Sequence, residues 1–156
     1  MNKDISGVER FLNPNKRDYP AALAEIRAGR KRSHWIWYIF PQIKGLGSSS
    51  TAQYYSIKDI EEAREFLAHP VLGAHLIEIS QTLLELQTSD ADAVMGWPDN
   101  LKLCSSMTLF EAADPTQEVF GKVLDKFYSG QRDKLTLQIL GFDFETMSDG
   151  KMQTLI

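Results

Sequence analysis

Two stretches of this chain gather the residue types that do chemistry. In RAGRKRSHWIWYIFPQ (27–42), Arg27, Arg30, Lys31 and Arg32 put four cations into six positions, ahead of His34 and the apolar run Trp35, Ile36, Trp37, Tyr38, Ile39, Phe40. Guanidinium groups bind phosphate or carboxylate through paired hydrogen bonds. Tryptophan faces stack on planar rings, worth about 1–3 kcal/mol per ring. Arg30 and Arg32 are therefore candidate phosphate ligands, with Trp35 or Trp37 against a base or sugar. A plainer origin exists for each feature. Cations at a helix end complement its dipole, and rings in an unbroken apolar run are core residues. Of Trp35, Trp37 and Phe40, two are expected in the core and one facing a pocket. Ser33 reads as the N-cap of a short helix stopped by Pro41. His34 would then sit at a helix N-terminus, where free N–H groups favour anions and disfavour the imidazolium, leaving a neutral ring as base or donor.

The second stretch is WPDNLKLCSSMTLF (97–110), where Asp99, Lys102, Ser105, Ser106 and Thr108 interrupt an otherwise apolar helix. Asp99 and Lys102, three apart, can pair, and Lys102, Ser105 and Ser106 fall along one face. Such groups need partners when buried. A ligand would meet that need, and so would backbone or a neighbouring helix. If the two stretches meet in space, His34 and Asp99 supply general acid–base character, and Lys102, Ser105 and Ser106 complete a polar wall. Hydrolysis of a glycosidic bond is the reaction that set would suit. Cys104 has no base in view and reads as a small hydrophobe. GLGSSS (45–50) lacks the spacing and lysine of a phosphate-loop fingerprint but could close over a ligand through backbone N–H groups. His69 and His75, six apart, do not have metal-ligand spacing. No metal and no cofactor are expected.

These stretches need elements to hold them. Stripes at helical spacing recur along the chain: Ile5, Val8, Phe11 and Leu12, with Asp4 or Ser6 as cap; Tyr19, Ala22, Leu23 and Ile26, closed by Gly29; and Ile60, Ala63, Phe66 and Leu67 behind a cap at Asp59. Leu72 to Leu86 reads as the longest helix. Asp90 caps a short turn ending at Gly96, Asp99 starts a helix, Pro115 begins another that ends at Gly130, and Asp133 caps the last. Residues 44–52 read as a Gly/Ser loop. No segment alternates with period two between hairpin turns. The fold class expected is all-α: one domain over residues 1–141, of about eight short helices, followed by a loosely ordered tail, 142–156.

The chain has 156 residues, with 43% hydrophobic and 24% charged residues and a net charge of −4. That suits one self-supporting soluble domain, and the acidic balance argues against nucleic acid as partner. One cysteine excludes an internal disulfide. With no signal-peptide pattern and no apolar run near 18 residues, a cytoplasmic protein off the membrane is expected. Oligomeric state is not legible.

GRKRSHWIWYIFPQIKGLG (29–47), YSIKDIEEAREFLAHPVLGAHL (55–76) and DNLKLCSSMTLF (99–110), in that order, resemble the bacterial domain-of-unknown-function family numbered 1810, sometimes labelled calpastatin. The resemblance runs from about residue 8 to residue 140. It implies an all-α domain of this size with no established activity, and recurring polar positions at Arg30, Ser33, His34, Gln42, Asp99, Lys102, Ser105, Ser106 and Thr108. A fainter similarity is to the NAD- and ADP-ribose-associated superfamily, small helical domains with tryptophans and carboxylates around a nucleotide-sugar pocket. Together these point to a phosphorylated small molecule, nucleotide or ADP-ribose-like, bound between segments 29–42 and 97–108. The competing expectation is a non-catalytic protein-interaction module, with the aromatic run as contact and the arginines as rim. A third, single-stranded nucleic acid, needs a continuous basic groove.

Overall fold

A computed structural model of the protein describes residues 7–142. Among them the backbone forms nine helices: α1 (Glu9–Arg27), α2 (Ile36–Ile39), α3 (Ser50–Tyr54), α4 (Ile60–Ala68), α5 (Leu72–Glu85), α6 (Ala91–Met95), α7 (Asp99–Ala113), α8 (Val119–Tyr128) and α9 (Lys134–Leu140). Ile43 and Ile57 form an isolated parallel bridge. The fold is all-α and forms one domain. The tail expected over 142–156 lies, beyond Phe142, outside the described residues.

α7 is the axis. It packs against α8, α4, α6, α9 and α2, and buries residues around most of its circumference, from Asn100 and Leu103 through Ser105–Phe110 to Ala112 and Ala113. A helix apolar nearly all round belongs in a core. α5 packs on α4 and α8 and carries α1 on its other side, each of these helices burying a single stripe. Phe11, Phe66, Phe110 and Phe120 form a chain of ring contacts through the middle, with centroids 5.2, 5.4 and 5.9 Å apart.

Caps place several helix starts. Asp59 accepts from Glu62 N, Asp90 from Asp92 N and Ala93 N, and Asp133 from Thr136 N, each satisfying N–H groups that a helix start leaves open. Glycines with positive φ follow where expected, at Gly96, Gly130 and Gly141.

Five expectations change. The two N-terminal stripes are one 19-residue helix, α1, which keeps Pro14 and Pro20 inside it. Its buried positions Phe11, Asn15, Tyr19, Ala22 and Ile26 run on at spacings of three and four across both prolines, so packing outweighs the hydrogen bonds each ring removes. Ile5, Asp4 and Ser6 lie outside the described residues. α5, at 14 residues, is shorter than α1 and than the 15-residue α7. The Gly/Ser loop ends in α3, whose N-cap Ser49 accepts from Ala52 N; that turn buries nothing, so no apolar stripe announced it. α8 starts at Val119 rather than at Pro115, because Asp114 first closes a turn with Thr116 and Gln117. Finally, Ser33 is not a cap. α2 starts behind Trp35, which makes no side-chain cap bond, since Ser33 has a different partner.

Candidate functional site

That partner is Glu25, on the last turns of α1. Its Oε1 accepts from Arg32 N at 2.8 Å, Ser33 N at 3.0 Å and Trp35 Nε1 at 2.9 Å, and its Oε2 accepts from Ser33 Oγ. Desolvation alone would raise this carboxyl. The bonds from Ser33, Arg32 and Trp35 outweigh it and hold the group down at about 2. The loop that carries the cations is thus wrapped around one carboxylate. Lys31 N donates to Val94 O at 2.7 Å, which ties the same loop to α6.

The cations then separate into two sets. Lys31 turns inward: its side chain is only 6% exposed, its Nζ sits 2.8 Å from Asp99 Oδ2, and it lies 4.8 Å from the Trp35 ring. Lys102 Nζ lies 3.4 Å from Asp99 Oδ1 and 5.6 Å from the Trp37 ring. Segments 29–37 and 99–102 therefore meet, joined by Lys31, Asp99, Lys102 and Trp37. Arg30 and Arg32 turn outward. Both are exposed, and neither guanidinium has an acid partner among the described residues.

The remaining candidates do not converge on that junction. Trp35 is 1% exposed and Phe40 fully buried; both are core, so Trp35 has no face to offer a ligand. Trp37 is half-buried and, with Gln42, walls a narrow cleft under the Gly/Ser loop beside Tyr55. His34 is exposed and its ring has no hydrogen-bond partner among the described residues. It is not at a capped helix start, and α2, at four residues, is too short to act as one. Ser105 Oγ faces the other way, 3.1 Å from Asp133 Oδ2 and 3.2 Å from Leu101 O. Thr108 Oγ1 donates to Cys104 O and accepts from Asp133 N. Ser106 is fully buried and its hydroxyl has no partner among the described residues. The polar residues of α7 thus serve mostly its own backbone and the start of α9. Cys104 is held unreactive, its thiol pushed up to about 12 by burial and by the nearby Asp133 carboxylate.

Chemically the junction is a clamp. Each oxygen of Asp99 faces one ammonium, so this carboxylate holds two segments together, and its two ion pairs favour the charged form over proton transfer. His34 lacks the acid that orients a catalytic imidazole. Sequence reasoning missed Glu25, an ordinary helical glutamate whose role depends on a loop that turns back over seven residues. It also left out Trp97, which is 78% exposed next to Leu101 at 55%. A tryptophan is conspicuous in composition, but nothing local says on which side of the surface it lies. No group of His, Cys, Asp and Glu among the described residues is placed to hold a metal ion, and no helix among them is long and apolar enough to cross a membrane.

The comparisons agree with this geometry in being silent on chemistry. No curated protein matches the chain. The crystal structure of the conserved hypothetical protein Rv1873 from Mycobacterium tuberculosis is similar at 42% identity and a TM-score of 0.83, over 85% of this chain and 95% of that one. The family model described as protein of unknown function DUF1810 matches residues 5–140. With that span covering the whole described fold, from α1 to the end of α9, the chain belongs to the DUF1810 family.

Proposed function

We propose that this chain binds a phosphorylated small molecule of the cytoplasm, nucleotide or ADP-ribose-like, on the surface where the 28–35 loop meets the start of α7. One observation carries the reading. Glu25 spends its carboxylate on the backbone of Arg32 and Ser33 and on two side chains, so the loop is rigid while the guanidinium groups it presents stay unneutralised. An exposed pair of arginines on a fixed loop is pre-organised for a phosphate. Lys102, beside Trp37, adds a third cation next to a ring. The geometry favours binding over turnover, because both oxygens of Asp99 are engaged.

The test is a thermal-shift series with ADP-ribose, NAD, ATP and inorganic phosphate. A ligand at a hundred times its dissociation constant adds about 2.7 kcal/mol, or very roughly 5–10 °C here. A shift present in the wild type and lost in Arg30→Ala/Arg32→Ala supports the reading. A shift with ADP-ribose or NAD that survives the double variant, or none with any of the four, sinks it.

A protein-docking role is favoured by a separate observation, the exposed Trp97 in the turn ahead of α7 and the exposed Leu101 in its first turn. It would show as a partner retained by the wild type and lost by Trp97→Ala, with no response to phosphate ligands.

A further inference from the structure

The Ile43–Ile57 bridge has a second consequence, on the opposite side of its backbone. Ile57 N donates to Gln42 O and Lys44 N to Ile57 O, both at 2.8 Å. Ile43 and Ile57 point into the core, at 2% and 0% exposure. The residues that follow each of them, Lys44 and Lys58, are exposed and line one open groove of about 580 Å³. Neither ammonium forms an ion pair among the described residues, although the charge of Lys58 helps hold the Glu62 carboxyl down. Both lysines follow directly on the bridged pair, so the fold sets two like charges on the same groove.

The groove is rigid beneath them. Arg10, 10% exposed, donates to the carbonyls of Gly7, Tyr54 and Ser56, and forms a two-pronged pair with Glu62 at 2.9 and 3.2 Å. Arg10 and Glu62 cancel each other. Glu65, exposed on the rim, is the one other carboxylate of the groove, against two lysines. Tyr54 is half exposed, its ring fixed edge-on against Tyr55 at 4.8 Å and 82°.

We propose that this groove is a binding site for a small phosphate monoester carrying a planar ring, its phosphate between Lys44 and Lys58 and its ring on the open face of Tyr54. Two ammonium groups on one groove match a dianion, the charge a phosphate monoester approaches at pH 7, better than a carboxylate's single charge. The exposed tyrosine face supplies the stacking surface. None of these residues belongs to the arginine surface proposed above, so the two sites stand or fall separately.

Calorimetric titration of the full chain with adenosine 5′-monophosphate, adenosine and inorganic phosphate tests it, in the Arg30→Ala/Arg32→Ala background so that the arginine surface does not contribute. The expected result is binding of the monophosphate, weaker binding of phosphate and none of adenosine. Lys44→Gln or Lys58→Gln should each weaken monophosphate binding about tenfold or more, as loss of a charge-assisted hydrogen bond does. Tyr54→Ala should weaken the monophosphate several-fold and leave inorganic phosphate unchanged. Both lysines are exposed, so circular dichroism should show folded variants. Absence of monophosphate binding, or binding indifferent to both lysines, overturns the site. Equal affinity for phosphate and monophosphate, with no effect of Tyr54→Ala, overturns the ring-bearing ligand.

Discussion

Replacing Glu25 by glutamine tests the central clamp without changing its shape. Three of its four hydrogen bonds, from Arg32 N, Ser33 N and Trp35 Nε1, arrive at one oxygen, which a glutamine carbonyl can reproduce. What disappears is the charge that those donors stabilise. The carboxyl is drawn from 4.5 to about 2 in the folded chain, and each pH unit of such a shift corresponds to about 1.36 kcal/mol. Because the group is well exposed to solvent on one side, screening reduces the full figure, and about 1–2 kcal/mol is expected. The folded-state value lies below the unfolded one, so this stabilisation is complete above about pH 4.5 and is lost as pH falls toward 2. Urea unfolding of wild type and Glu25→Gln at pH 7, 5, 4 and 3 should show a wild-type advantage at pH 7 that is unchanged at pH 5 and less than half as large at pH 3. A difference that stays constant down to pH 3 would refute the argument that charge, rather than shape, holds the loop. Trp35 fluorescence gives a local reading of the same event.

Other substitutions probe how the rest is assembled. A Cβ on Gly73 would sit 2.0 Å from the carbonyl oxygen of Leu67, a backbone atom where α4 meets α5. Gly73→Ala should therefore cost about 2–3 kcal/mol in urea unfolding despite alanine's better helix propensity; equal stability would mean the two helices separate freely. Ser106→Ala removes a fully buried hydroxyl that has no partner among the described residues, so stability should stay within about 0.5 kcal/mol or rise. A loss above about 1.5 kcal/mol would reveal a bond partner. Glu62→Gln strips the charge from a buried pair with Arg10, and should cost about 3 kcal/mol by leaving the guanidinium uncompensated; a cost near zero would place that pair in solvent.

Much of the fold is written in local signals. Asp59, Asp90 and Asp133 announce their helices because a capping side chain acts within three residues. The stripes of α4 and α8 do the same because one face alone meets the core. α1 reads as two stripes in sequence, whereas one helix runs on through Pro14 and Pro20 because α5 and α2 pack over it. The site is less legible for the same reason. Arg30 and Arg32 are visible as cations, but whether they are neutralised depends on what Glu25 binds instead. Trp35 and Trp37 look alike in sequence and part company only because the helical turn between them sends one to the core and one to the surface beside Lys102. Ser105, Ser106 and Thr108 look like a polar wall, yet a helix enclosed on nearly all sides spends Ser105 and Thr108 on its own carbonyls and on the neighbouring Asp133, and buries Ser106.

The bridge between Ile43 and Ile57 also divides the molecule in time. The chain between them leaves the core and returns to the same point, and α3 at its tip buries no residue. It is held by two backbone hydrogen bonds, by the carbonyls that Arg10 gathers, and by Leu46 and Tyr55, which pack only partly buried on the core. Segments with so little burial open well below the free energy of global unfolding. The amides of Lys44 and Ile57 should accordingly exchange with solvent together, in one event that releases 44–56 while the α7 core stays closed. A phosphate ester lying across Lys44 and Lys58 would slow that event, so amide exchange would register occupancy of the groove from the protein's side.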